Sequence, residues 1–591
     1  MAYATEKRKV GRRPVKLLEI DADLCANTYG VSPCTASGSA GSECYNTRAT
    51  CQDPANYAGT GTQTLRFCEL DAPAEVIRAG YIPAIKSIST RPTKIDPAKG
   101  VAIRESRTLA VLDFPHHDRG LDPYVGTRGY VPAETGTFWG KWLARNKYYT
   151  GRAARVIDAY VSDAGLDLVN DVKTHHYILD RIDGPDPGGV KITLKDLLKL
   201  ADDKRAQCPA KSSGALAADL TAVATSLTVT TDTGTEYATY RGAAVSGGNP
   251  GYVRVNDEII QYTGVSTDTL TGLTRGEWGT TAAAHSTDDD VQLCWHCSSE
   301  NIVDLIDELL TDFAGIDAAY IPSAEWTAEK NKWFTSALAT TIISDPTGVT
   351  TLVNELCRDF MANIWWSDDE QAIKLKSIIP DNLNTSTVDY TDDDHLLRDS
   401  ITVKRDPSKR ISQLIIWYGP RDWSQDLDRK NMRYGFAEAA LTEESDALYG
   451  EQRIEVIESR WIPTAAIAGQ TGARTLNRRK DDPVFLEMQL DAKDDALAVG
   501  DSVTVLTRHL QGVTGEPKAT KFQVLSREEV KGGTHMKYTL QNLAFSGRYA
   551  FVMADGTPDY SSATEEQKRT GCFVAPSAAG FADGGDPYKI L

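Results

Sequence analysis

The sequence predicts an α+β protein that is mostly β, with several small β-barrel or sandwich domains, short helices between them and an irregular cysteine-bound segment at the N-terminus. Two observations support the β prediction: short apolar or alternating runs recur along the chain, and Gly or Pro separates most of them. A third observation is that the region from Cys25 to Cys68 holds five of the ten cysteines but almost no periodic apolar residues. The length of 591 residues is enough for about three to five domains.

Changes in composition and apolar periodicity divide the chain into six predicted regions. They are an N-terminal arm with the cysteine cluster (1–75), the first part of a β-domain (76–208), an inserted small β-module (209–293), a helix and hairpin domain (294–400), a β-barrel domain (401–545) and an irregular C-terminal segment (546–591). The arm is basic and lacks the apolar run of a signal peptide, so we expect a frayed end or an arm that orders on a partner. We expect the C-terminal segment to wrap a neighbouring molecule.

The inserted module is rich in Ala, Thr, Ser and Gly and poor in Lys, unlike its surroundings. Two alternating runs meet at Asn256-Asp257, which predicts a β-hairpin with its turn there. After the module, apolar residues recur at helical spacing over 302–313 and over 349–364. This spacing predicts two helices, the second followed by a hairpin that begins at Ile364.

The charge balance argues against a protein that grips DNA. The chain has 82 acidic and 64 basic residues, a net charge of −18, and no concentrated basic face is visible in the sequence. This charge balance is compatible with a protein that DNA passes through without being bound specifically. The sequence contains no apolar run of about 18 residues, so we expect no membrane-spanning helix.

Four cysteines follow the pattern Cys25-x8-Cys34-x9-Cys44-x6-Cys51. Zinc sites usually contain closely spaced cysteine pairs, which are missing here. Disulfides tolerate any spacing, but the fifth cysteine, Cys68, would be left over. An iron–sulfur cluster takes four thiolates and accepts a loose spacing. Cys68 lies next to apolar residues and is interpreted as a small buried side chain in a strand. The alternative is that it replaces one of the four cysteines as a ligand.

Cysteines also flank the inserted module, with Cys208 before it and Cys294, His296 and Cys297 after it. The two ends of an insertion usually leave the host fold side by side, so these four side chains are a second candidate zinc site. Ordinary buried thiols are the favoured alternative.

Motifs for catalysis are missing from the sequence. It contains no Gly-x-Ser-x-Gly, His-Glu-x-x-His or Gly-Lys-Ser/Thr motif. Runs of acidic residues such as Asp392-Asp393-Asp394 are typical of solvated loops. We therefore predict a protein that is not an enzyme.

The cysteine pattern resembles a known domain. The four cysteines, together with Tyr29-Gly30, Pro33-Cys34, Cys44-Tyr45 and Thr50-Cys51-Gln52-Asp53, resemble the cysteine domain of minor tail-tip proteins from long, flexible-tailed phages of the lambda type. This resemblance implies that Cys25, Cys34, Cys44 and Cys51 hold a 4Fe–4S cluster. Zinc, or disulfides without a metal, remain the alternatives.

The second half of the chain resembles the hub fold of phage tail baseplates, in which a helix leads into a β-barrel and Gly500-Asp501 precedes a Val-x-Val strand. The resemblance implies a homotrimeric ring at the tail tip of the virion, assembled in the host cytoplasm. Its implied partners are the distal tail protein, the tape-measure protein and a central tail fibre or receptor-binding protein. The alternatives are an iron–sulfur redox protein and a tail-associated protein that binds carbohydrate or degrades cell wall.

Overall fold

Short β-strands dominate the structure, a computed structural model that describes residues 2–37, 44–96, 102, 104–162, 165–377, 388–439, 450–542, 560–562 and 564. The helices within these ranges are short, and the strands form one closed barrel and several smaller sheets. The predicted class, a mostly β protein with short helices, is therefore confirmed. No helix in the described ranges is long and apolar enough to cross a membrane.

The N-terminal third of the chain is a closed seven-stranded barrel. Its strands are β1 (Pro14–Leu24), β2 (Gly61–Glu69), β3 (Ile82–Arg91), β4 (Ser106–Val111), β5 (Ala153–Tyr160), β6 (Val172–Asp186) and β7 (Gly189–Lys195). Their order around the barrel is β1-β2-β3-β4-β7-β6-β5, and β1 closes the barrel by pairing with β5. Inward side chains alternate with outward ones, as in β4, so the barrel has a continuous apolar interior.

Three helices accompany the barrel: α1 (Ala2–Glu6), α2 (Ala74–Arg78) and α3 (Phe138–Arg145). Helix α3 packs on the barrel interior, where the Trp139 ring stacks on Phe67 with 5.3 Å between the ring centroids. The N-terminal arm docks on its own chain: Tyr3 contacts Tyr160, and Arg12 forms a bidentate ion pair with Asp491 at 2.8–2.9 Å. Part of the arm thus orders without a second molecule.

The structure differs from the predicted division at residue 75. Strands β1 and β2 flank the cysteine residues and belong to the same barrel as the strands that follow residue 75. The cysteine-rich region is therefore a long connection between two neighbouring barrel strands. The short apolar runs around Leu18 and Phe67 belong to the barrel core. Because these runs contain few apolar residues, the sequence did not show that they belong to a larger domain.

The inserted module has a hydrophobic core of its own. After β8 (Gln207–Cys208), its strands are β9 (Ser226–Thr228), β10 (Thr239–Tyr240), β11 (Ala243–Ala244), β12 (Gly251–Val255), β13 (Glu258–Tyr262), β14 (Gly264–Ser266), β15 (Thr269–Thr271), β16 (Thr274–Glu277) and β17 (Val291–Leu293). The hairpin predicted at Asn256-Asp257 is confirmed, since Val255 pairs with Glu258. The ends of the module leave the host side by side, because the Leu293 amide donates to Ser212 Oγ at 2.9 Å.

A helical unit follows the module. It contains β18 (Trp295–Asn301), α4 (Ile302–Glu308), α5 (Ser323–Trp333), β19 (Leu338–Ile343), β20 (Thr347–Gly348), α6 (Val349–Phe360), β21 (Ala362–Ser367) and β22 (Ala372–Ser377). The predicted helix over 302–313 is present as α4 and one π-helical turn, Leu309–Phe313. The helix predicted to reach residue 364 ends at Phe360, because Met361 adopts a left-handed conformation with φ of 58° and the chain then enters β21.

The C-terminal part contains two further sheets. Its elements are β23 (Tyr390–Thr391), β24 (Thr402–Arg405), β25 (Gln413–Pro420), β26 (Met432–Ala439), β27 (Ile454–Ser459), α7 (Ala465–Arg479), β28 (Val484–Asp491), β29 (Ser502–Leu506), β30 (Thr520–Lys531) and β31 (His535–Asn542). The barrel predicted over 401–545 is instead an open six-stranded sheet, β23-β29-β30-β31-β28-β24, beside a three-stranded sheet, β26-β25-β27. Most of the predicted C-terminal segment, including Cys572, lies outside the described residues.

Candidate metal centre

The cysteine segment, residues 25–60, starts and ends at the same point of the barrel. Its backbone is tied at its base: the Cys25 amide donates to the Asn46 carbonyl at 2.6 Å, and the Ala26 amide donates to the Ala58 carbonyl at 2.7 Å. Gly61 lies so close to β1 that a Cβ there would approach the Leu24 carbonyl to 2.9 Å. The segment is therefore a closed loop at one end of the barrel.

Four thiols belong to this loop. Cys44 is buried, and Cys25, Cys34 and Cys51 are partly buried. Burial raises the pKa of the Cys44 thiol, and the charges of Cys51, Cys34 and Cys25 raise this pKa further.

The described residues do not form a closed ligand set around these thiols. Within the described residues, no three or more Cys, His, Asp or Glu side chains have the arrangement of a metal site. Residues 38–43, between Cys34 and Cys44, lie outside the described ranges. The donors fit a thiolate-ligated group in kind and number, and the raised pKa of Cys44 means that binding such a group would release a proton.

A cation–aromatic contact fixes the loop to the barrel next to Cys44. The Tyr45 ring lies between the guanidinium groups of Arg128 and Arg145, 3.8 and 4.1 Å from its centroid. Arg128 also donates to the Cys44 carbonyl and pairs with Asp122. The chain thus places two positive charges beside the residue that carries the most buried of the four thiols.

Other anchors come from Tyr124, a residue far away in sequence. Its hydroxyl donates to Asn46 Oδ1 and accepts from the Tyr29 amide, both at 2.9 Å. The sequence reasoning missed these roles of Tyr124, Arg128 and Arg145. The local sequence around them carries no signal for the contacts, which arise from pairing between distant segments.

Cys68 lies in the barrel wall. It is fully buried in β2, pairs in register with Leu17 and packs with Val76 and Tyr81. Burial raises the pKa of its thiol to about 11. The interpretation of Cys68 as a buried strand residue is confirmed, and this environment disfavours a thiolate ligand.

The second candidate zinc site is divided between different surroundings. Cys208 and Cys297 lie in the core of the helical unit, where burial raises the pKa of both thiols. Cys294 packs in a separate cluster, and the His296 ring contacts the Tyr240 hydroxyl at 2.6 Å. Side chains alternate along β18, so Cys297 points to the face opposite to His296. Within the described residues, these four side chains do not have the arrangement of a metal site, so the structure gives no support to the second candidate zinc site.

A buried charge cluster lies where the barrel meets the hairpin of β21 and β22. His175 in β6 contacts Asp368 at 2.6 Å and Asp158 at 3.3 Å. Burial alone would lower the pKa of His175, but the charges of Asp368 and Asp158 outweigh burial and raise it. Glu105 and Arg107 complete the cluster. Its paired charges connect the barrel with the hairpin of β21 and β22.

Comparisons with known proteins give distant structural similarities. No protein-family model and no curated protein matches the chain. The 43 kDa tail protein of prophage MuSo2 from Shewanella oneidensis is 10% identical, with 77% of this chain and 97% of that chain covered and a TM-score of 0.35. A tail protein from Neisseria meningitidis MC58 is 10% identical, with 77% and 96% covered and a TM-score of 0.33.

The prophage tail protein gp18 from Listeria monocytogenes EGD-e is 9% identical, with 67% of this chain and 87% of that chain covered and a TM-score of 0.30. The chain is thus distantly similar in structure to tail proteins of prophages.

Proposed function

We propose that the protein is a structural component of a phage tail tip, a hub ring of three copies that closes the tail tube. In this role it is not an enzyme. It contacts the distal tail protein on one side, a central fibre or receptor-binding protein on the other, and the tape-measure protein inside. A ring of identical subunits needs each copy to present two complementary surfaces, which several small β-domains can supply.

The observation that supports this proposal most is the loop that carries the four cysteines. Cys25, Cys34, Cys44 and Cys51 fall within 27 residues of one loop, whose base is closed where the Cys25 amide donates to the Asn46 carbonyl. The acidic net charge of −18 also suits a protein that DNA passes without being held.

We further propose that Cys25, Cys34, Cys44 and Cys51 hold a 4Fe–4S cluster with a structural role. Such a cluster supplies four metal–thiolate bonds that tie distant parts of a loop together. The chain contributes the thiolates, the base of the loop closed by Cys25 and Asn46, and two arginines beside Cys44.

The proposed function is tested by expressing the chain with its neighbouring tail proteins and measuring the mass of the complexes in solution. A trimeric ring that binds the distal tail protein is expected, and electron microscopy with a labelled antibody should place it at the tail tip. A chain that stays monomeric in the presence of the other tail proteins and is missing from purified tails would contradict the proposal.

A further inference from the structure

A cavity of about 120 Å³ lies between the cysteine segment and the barrel. One wall consists of Thr47, Arg48 and Tyr57 from the cysteine segment. The facing wall consists of the end of α3 and the residues after it, among them Lys147 and Tyr148. The cavity is therefore a feature of the folded cysteine segment together with the barrel.

The cavity carries an excess of positive charge although the whole chain is acidic. Arg48, Arg145, Lys147 and Arg152 line it, and Asp23 is the carboxylate on its wall. Arg152 pairs with Asp23 at 2.6 Å, and Arg145 pairs at 2.8 Å with an aspartate outside the cavity. Within the described ranges, Arg48 and Lys147 are exposed and form no ion pair, so two positive charges remain uncompensated.

Aromatic rings lie beside these charges. The Arg48 guanidinium is 5.1 Å from the centroid of the Tyr57 ring, and Tyr148 at the rim is 65% exposed. Trp142 forms part of the wall, and its buried indole Nε1–H has no acceptor among the described residues. A buried donor without an acceptor costs about 1–3 kcal/mol, so a ligand oxygen that reached this N–H would be stabilised there.

A second cavity, about 390 Å³ between the barrel, the hairpin and the six-stranded sheet, contrasts with this one. Two of its cations form ion pairs within the chain: Lys173 with Asp369 at 2.7 Å and Arg527 with Asp495 at 2.6 Å. Paired charges hold domains together, whereas unpaired cations beside exposed rings remain available to a ligand.

We propose that the cavity beside the cysteine segment binds a phosphate group carried next to a planar ring, the chemistry of one nucleotide unit in a single strand. Arginine and lysine donors suit phosphate oxygens, and an exposed tyrosine face suits a stacked base. The basic area is confined to one small cavity, which is too small to follow the backbone of a duplex. This proposal does not depend on the role in a phage tail.

The experiment uses the full chain at one fixed salt concentration, because phosphate contacts depend on ionic strength. Calorimetry measures the binding of inorganic phosphate and of thymidine monophosphate, and fluorescence anisotropy measures that of labelled oligothymidine and of a duplex. The variants are Arg48→Gln, Lys147→Gln and Tyr148→Ala. The control is Arg205→Gln, which removes an arginine that is 92% exposed and lies outside the cavity.

Arg48→Gln and Lys147→Gln are each expected to weaken binding of the nucleotide and the oligonucleotide about tenfold, the loss of one charge-assisted contact. Tyr148→Ala should weaken binding of the nucleotide and leave that of inorganic phosphate unchanged. Arg205→Gln should change neither. The proposal is overturned if no phosphate compound saturates the protein, if Arg205→Gln weakens binding as much as Arg48→Gln, or if the duplex binds as tightly as the single strand.

Discussion

The cysteine segment and the inserted module are both insertions between strands of a host fold, yet different forces hold them. The module buries eleven large or branched apolar side chains in a core of its own. In the described part of the cysteine segment, Cys44 and Thr47 are the buried residues. The module can therefore be stabilised by the hydrophobic effect, whereas the cysteine segment depends on its contacts with the barrel and, in our proposal, on metal bonds to its thiols.

Docking to the host also differs between the two insertions. The module is fixed by Arg241, which pairs with Glu300 and Glu308 and lies 5.2 Å from the Trp295 ring centroid. The cysteine segment is fixed through Tyr45, between Arg128 and Arg145. In both cases an arginine next to an aromatic ring supplies orientation, but only the module has a core that would persist without it.

The largest expected loss of stability follows from a substitution in the core of the module. Ile260→Ala removes a fully buried side chain and should cost about 2–5 kcal/mol, the usual range for such a truncation. Hydrogen exchange should accelerate across 216–293 while the barrel stays protected, because the module has a separate core. The matched control, Val223→Ala, alters a side chain that is 85% exposed and should change nothing. Loss of protection in the barrel would show that the two cores are one unit.

A smaller effect is expected at the docking contact. Arg241→Gln leaves Glu300 and Glu308 without their shared cation and should weaken docking of the module by about 1 kcal/mol, a value lowered by partial exposure to solvent. Hydrogen exchange should rise around β10 and β11 and stay unchanged in β12 and β13. Arg205→Gln serves as the control. Unfolding of β12 and β13 in Arg241→Gln would mean that the module depends on the host for its fold.

The sequence predicts the elements that depend on a local pattern of residues. It does not predict features that depend on pairing between distant segments of the chain. Helix α4 and the Asn256-Asp257 hairpin follow from spacing and turn residues. The end of α6 does not, because a methionine at positive φ has no sequence signal. Whether a run of strands closes into a barrel depends on which edges pair, so the open six-stranded sheet could not be foreseen.

The same limit applies to the candidate site. The spacing of Cys25, Cys34, Cys44 and Cys51 identifies the segment, and its composition shows that it lacks a core. The residues that hold it, such as Tyr124, come from a loop about 80 positions further on, a separation over which local pattern carries no information.

The central claim is that thiol-bound iron replaces a hydrophobic core in the cysteine segment. Its most direct test is iron and sulfide analysis, with visible absorption, of protein purified without oxygen. We expect about four iron and four sulfide ions per chain. Cys44→Ser should lose these ions and should also lose the protection of residues 25–60 from protease. Cys572→Ser should keep both. A colourless protein without iron that contains zinc or two Cys–Cys bonds under these conditions would contradict the account.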